Sequence, residues 1–152
     1  MRCLSASWPA LLLLFALHST ALADGLMMVR SEQGFPETMA ILQEEITQRG
    51  YTISRIQRVD VGLTDSGFKT DMYRLVFLAK PEELRDLTTR YPQLIPYLPW
   101  PITVFAEDHE TLLVTANPTE LRALANNNEL KEIFARWSQD FHDILEAVRK
   151  EN

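Results

Sequence analysis

The sequence predicts a single α+β domain. Its elements run β-α-β-β-α-β-β as a sandwich of a mainly antiparallel sheet with helices, followed by a C-terminal helix. Three observations carry this. Short apolar runs of strand length alternate with stretches of helical spacing. The run from Tyr73 to Asp108 reads as strand, helix, proline-rich connection and strand, and holds five of the eight prolines. Near the end, Leu130, Ile133, Phe134, Trp137, Phe141, Ile144, Leu145 and Val148 form a broad apolar stripe that must bury against something.

A length of 152 residues fits one domain, and 46% apolar with 24% charged residues fits a folded globular chain. The net charge is −6 and no basic block occurs, which argues against nucleic acid as a partner. No apolar run reaches the ~18 residues of a membrane span.

Residues 1–23 read as a cleaved export signal. Arg2 precedes a short apolar core, Ala10 to Leu17, and Ala21-Leu22-Ala23 is a small-x-small cleavage pattern. The mature chain then starts at Asp24, periplasmic or secreted, with no membrane span. Its only cysteine, Cys3, is lost with the leader, so no thiol or disulfide remains. The mature chain divides into an α+β domain over 24–125 and an amphipathic helix over 126–152 packed on it.

Each element has its own local reason. Leu26 to Arg30 is a short apolar strand, and Gly34 breaks it. Pro36 then suits a first helical turn, and Phe35, Met39, Leu42 and Ile46 recur on one face. Gly50 fits the left-handed end. Tyr51 to Val61 reads as a second strand, with a bulge where Ile53 and Ile56 break alternation. Thr64-Asp65-Ser66-Gly67 is turn chemistry. Met72 to Ala79 is a strand apolar on both parities in its second half.

Pro81-Glu82-Glu83 opens a helix whose Leu84, Leu87 and Tyr91 face the sheet. Tyr91 to Pro101 carries four prolines and is expected to cross in extended form. Ile102 to Ala106 and Thr111 to Ala116 are strands joined at Glu107-Asp108-His109-Glu110. Asn117-Pro118-Thr119-Glu120 is a helix start with Asn117 as cap.

Several short signatures now fall in order: Val59-Asp60 then Gly67-Phe68, Lys80-Pro81, Tyr91-Pro92, Leu98-Pro99, Phe105-Ala106-Glu107-Asp108, and Asn117-Pro118 before Leu121. Together they resemble the DUF302 family, domains of unknown function with a TT1751-like α+β fold. The resemblance runs from Leu26 to about Leu145, and the leader before it reads as that of an exported member. It implies a small α+β domain for which a dimer is in keeping with the fold, and it carries no catalytic residues across. Many members have His after the aspartate matching Asp60, where this chain has Val61. Many have Cys or Leu after the Leu-Pro pair, where it has Trp100.

The search for chemistry is mostly negative. The mature chain has no cysteine nucleophile, no Gly-x-Ser-x-Gly elbow and no phosphate-binding glycine loop. Glu107-Asp108-His109-Glu110 is dense in hard ligands, but neighbours on an extended chain point apart, so a solvated hairpin tip is the simpler reading. Met27, Met28, Met39 and Met72, with His109, could hold copper or haem iron, yet methionine is ordinary core filler. No haem attachment motif occurs, and His142 lies off the apolar stripe. No cofactor and no metal site are expected.

Asp60, Arg74, Lys80 and Trp100 are the candidate ligand-binding residues. The first three are charges at or near strands, and a buried one needs a partner or a function; the simpler account is that strand ends leave them in water.

Parity puts Tyr73, Phe77, Phe105 and Leu113 on one side of the sheet as a candidate interface, with the first two helices packed on Val76, Val104 and Val114 opposite. The aromatic side then needs a cover: a second copy first, the Trp137 helix next, or a ligand. The expected function is that of an exported, non-enzymatic homodimer that binds a small molecule or a protein. The alternatives are a metal or haem handling accessory using Met and His side chains, and last an enzyme using carboxylates at Asp60 and Glu107-Asp108.

Overall fold

The computed structural model describes residues 25–151; the expected leader, with Cys3 and its cleavage point, lies outside the described residues. The chain runs β1 (Leu26–Ser31), α1 (Phe35–Gln48), β2 (Thr52–Arg58), α2 (Val59–Asp65), β3 (Tyr73–Ala79), α3 (Pro81–Arg90), β4 (Trp100–Glu107), β5 (Glu110–Ala116) and α4 (Asn128–Lys150). Two 3₁₀ helices, Pro92–Tyr97 and Pro118–Leu124, precede β4 and α4. One five-stranded sheet in the order β1-β5-β4-β3-β2 is antiparallel throughout. This is the α+β architecture expected, with α4 added.

All the large helices lie on one face of the sheet. Val76 and Leu78 of β3, Ile102 and Val104 of β4 and Leu113 of β5 pack with Leu42 and Ile46 of α1, Leu87 of α3 and the whole apolar stripe of α4. The stripe is buried because seven side chains of α4, from Leu130 to Val148, fall on one side of its 23 residues. Asn127 caps α4 by accepting from the Leu130 N–H at 2.9 Å. Asn117 caps the 3₁₀ turn before it, accepting from the Thr119 N–H at 3.1 Å.

Four expectations are corrected. The second strand stops at Arg58, and Val59 and Val61 belong to α2; the bulge expected near Ile53 is there, between Ile53 and Arg55. The Tyr91–Pro101 segment coils first as a 3₁₀ turn over Pro92–Tyr97, because Pro92 enters its first position where an N–H is not needed; only then does it extend through a cis Leu98–Pro99 bond. Leu113 is not on the side of Tyr73, Phe77 and Phe105. Phe105 pairs with Leu112 and Val104 with Leu113, so Leu113 sits fully buried under the helices and Val114 faces the other way. Finally, the Trp137 helix does not cover the aromatic side: Trp137 stacks edge-on against Trp100 on the face that α1 also covers.

Two glycines give a paired test. Gly50 has φ +74° and follows α1, donating its N–H to the Thr47 carbonyl at 2.9 Å. A Cβ there meets no atom within 4 Å, so Gly50→Ala costs backbone strain alone, about 1 kcal/mol. Gly62 lies inside α2, also with open space at its Cβ and without positive φ. Gly62→Ala should therefore stabilise by about 0.5–1 kcal/mol. Urea melts of both variants, moving in opposite directions, check the two backbone assignments.

Candidate functional site

The four candidate residues fall into two pairs at opposite ends of β3. Arg74 and Lys80 are six residues apart, about 20 Å along a strand. Arg74 reaches out of the helix-covered face. It donates to Asp60 from the first turn of α2, and its guanidinium sits 5.6 Å from the centre of the Phe35 ring. Their side chains are only 14% and 15% exposed. The hydrogen bond from Arg74 is the main reason the Asp60 carboxyl sits below its ordinary range, with the Val61 N–H adding to it against partial desolvation. An ion pair this well matched anchors α2 to the sheet.

Asp60→Asn should lower stability by about 1 kcal/mol at neutral pH. A carboxyl with a depressed folded pKa stabilises above its unfolded pKa, and that contribution fades as pH falls through the folded value. The difference in Tm between Asp60→Asn and wild type should thus hold down to about pH 4 and close below it. Glu129 is held down to about 2 by its hydrogen bonds from Arg90 and Tyr91.

The other end is more concentrated. Lys80 is the residue before α3, and its ammonium lies 4.5 Å from the centre of the Tyr51 ring and 3.5 Å from Asp140 Oδ2. The Tyr51 hydroxyl donates to the same oxygen at 2.7 Å. Burial, and then this bond to Asp140, push the Tyr51 phenol well above its ordinary pKa. It is a fixed donor and not a base. Glu83, in the first turn of α3, takes Arg136 on one oxygen and the Trp137 indole N–H at 3.0 Å on the other. Trp100 is 4% exposed, edge-on to Trp137 at 5.6 Å and to Phe141 at 5.7 Å. Its own indole N–H is buried without a hydrogen-bond partner among the described residues.

Tyr51, Lys80, Glu83, Leu84, Leu98, Trp100 and Trp137 enclose a narrow slot with about 10 Å³ of room for the centre of a water-sized sphere. The cluster ties α4 to the start of β2 and to the β3–α3 junction. It holds two cations, two carboxylates and three aromatic N–H or O–H donors, all fixed, with no nucleophile beside a base. Its chemistry is that of holding a ligand or a helix. Lys80 and Trp100 were legible as candidates. Tyr51 and Asp140 were not, because their contact spans 89 residues and neither carries a local signal.

The remaining candidates disperse. Met27 and Met39 pack against the core, whereas Met28 and Met72 are exposed. Among the described residues, no group of three or more His, Cys, Asp or Glu could hold a metal ion. Glu107 of the hairpin pairs with Arg30 at 2.8 Å.

The second surface of note is the uncovered face of the sheet. Tyr73 pairs with Phe105 across β3 and β4 with rings edge-on at 5.7 Å. Leu75 and Phe77 of β3, Thr103 and Pro101 of β4, Leu112 and Val114 of β5 and Leu26 and Met28 of β1 share that side by register. Leu26 and Met28 are 49% and 50% exposed. Three of the four candidate interface residues, Tyr73, Phe77 and Phe105, stand here. At one end the face runs into an apolar groove of 320 Å³ between Phe77, Ala116 and the Pro96–Pro101 segment. No helix among the described residues is long and apolar enough to cross a membrane.

Comparison with known proteins agrees with this geometry. No curated protein matches the chain. The crystal structure of an uncharacterized conserved protein DUF302 from Bacillus stearothermophilus superposes with a TM-score of 0.75 at 23% identity, covering 84% of this chain and 100% of that one. That likeness establishes the fold. The family model for DUF302, a domain of unknown function, matches residues 27–148, almost the whole described chain. The chain belongs to the DUF302 family.

Proposed function

We propose that this is an exported, non-enzymatic binding domain that works as a homodimer, two copies pairing their uncovered sheet faces. The observation that carries the reading is the one-sided sheet. Every long helix packs on the same face, so among the described residues no long helix covers Tyr73, Leu75, Phe77, Phe105, Leu112 and Val114, which stay half-buried. Five strands of about six residues present roughly 24 Å by 20 Å, about 480 Å² in projection before side-chain relief is counted. Extended by the neighbouring groove, this is of the order of the ~800 Å² that each partner of a standard interface uses.

Its composition fits as well. Aromatic and aliphatic side chains hold the centre, and the Arg30–Glu107–Glu110 ion pairs sit at one rim. Two sheets stacked this way make a β-sandwich about 10 Å thick, a stable arrangement between identical faces. Sedimentation velocity of the purified protein at micromolar concentration tests it. A dimer is expected, and a monomer that stays monomeric as concentration rises overturns it.

A further inference from the structure

We propose that the two copies cross close to a right angle, so that Arg55 of each enters the acidic corner of the other beside Glu110. This rests on the face-to-face dimer proposed above and fixes its orientation. Strand pairing decides which charges the uncovered face carries. Arg55 of β2 pairs with Phe77 of β3 and therefore stands on the uncovered side, at the edge of the sheet. It is exposed, and its guanidinium has no partner among the described residues.

The diagonally opposite corner is acidic. Glu107 and Glu110 face each other there across β4 and β5, and they share Arg30 at 2.8 and 3.8 Å. With Asp71 and Asp108 they border an open cavity of 620 Å³ beside Phe105. Among the described residues, Arg30 is the one Lys or Arg that pairs with any of these four carboxylates. A lone cation at one corner thus answers an excess of carboxylates at the other, with the apolar rows between them. Such a face is complementary to a second copy of itself, because a two-fold axis brings each corner onto its opposite twice.

The spacing of the strands sets the angle. A rise of about 3.4 Å per residue and about 4.8 Å between strands put Arg55 and Glu110 roughly 25 Å apart on the diagonal. The two-fold axis that exchanges them runs close to Tyr73 and Val114, so each of these meets its own counterpart. Strands of the two sheets then cross at roughly 70°, near the orthogonal class of sheet packing. An aligned stack with its axis along β4 is worse. It sets Glu110 over Asp71 of the partner subunit, carboxylate on carboxylate, and lays Arg55 over the partner's Leu26.

The test is sedimentation equilibrium with exchanged charges at low ionic strength, where exposed pairs are least screened. Arg55→Glu and Glu110→Arg should each raise the dimer Kd about tenfold, since symmetry makes every altered pair repulsive twice. The double variant Arg55→Glu/Glu110→Arg should return Kd to within about threefold of wild type. Lys131→Glu changes the net charge as much as Arg55→Glu does, but on an exposed position of α4 behind the sheet, and should leave Kd unchanged.

Arg55 is exposed and the Glu110 side chain is 48% exposed, so each variant should fold, which circular dichroism checks. A dimer that ignores the single exchanges, or that the double exchange does not restore, overturns the crossed arrangement and leaves self-association standing. A wild-type protein that stays monomeric overturns both.

Discussion

Val114→Glu should turn a dimer into a monomer and leave each copy folded. Val114 lies on β5 near the middle of the uncovered face, paired with Met28 on one side and Thr103 on the other. In a lone subunit its side chain borders water, so a carboxylate there can stay hydrated. The fold then loses little beyond the weaker strand preference of Glu, at most about 1 kcal/mol. Between two stacked sheets the same carboxylate is stripped of water. Two-fold symmetry places two such charges in one interface. Together these should weaken association at least about 100-fold.

Sedimentation velocity reads the dissociation, and circular dichroism reads the fold. The neighbouring substitution Leu113→Glu should behave in the opposite sense. Leu113 is fully buried beneath the helices, so the charge there unfolds the subunit itself. If Val114→Glu remained dimeric, the contact between copies would have to lie elsewhere on the molecule.

Phe141→Ala should be the most damaging truncation in the C-terminal helix, costing about 3–5 kcal/mol in urea denaturation. Phe141 is completely buried, tilted against Tyr51 at 5.8 Å and edge-on to Trp100 at 5.7 Å. Removing the ring opens a cavity at the junction of α4, β2 and β4. It also loosens the Tyr51–Asp140 and Lys80–Asp140 contacts one residue away. Against a usual total of about 5–15 kcal/mol, this is a large fraction of the stability. His142→Ala, next in sequence but exposed, should change the midpoint by no more than about 0.5 kcal/mol.

Much of the fold was legible because its signals are local. Pro36 and Gly50 bracket α1, Pro81 opens α3, and the stripe from Leu130 to Val148 fits only a helix. The errors came where the deciding contact is distant. Val59-Asp60-Val61 alternates like a strand. What turns it into a helix includes the pairing of Asp60 with Arg74, fourteen residues on.

The mistaken side for Leu113 has a simpler cause. In the β4–β5 hairpin, Glu107 faces Glu110 across the two residues Asp108 and His109, so every cross-strand pair joins an odd with an even position. Counting parity through the turn reverses the face. Of the candidate site, Lys80 and Trp100 were visible, since a charge and an indole at strand ends are unusual enough to note. Tyr51, Glu83, Arg136 and Asp140 look like ordinary surface residues until α4 folds back over them.

That return of α4 has a bearing on when the chain can fold. Its seven buried side chains supply much of the core, and it is tied to early segments: Arg49 donates to the Asp143 carbonyl at 3.2 Å and Gln33 to that of Glu151 at 3.3 Å. Among the described residues β1 pairs with β5 alone, about 80 to 90 positions later. A growing polypeptide that still lacks α4 has neither a closed core nor a complete set of helices to exclude water. It should stay loose and open to proteases or chaperones until α4 is available, and then collapse in one late, cooperative step.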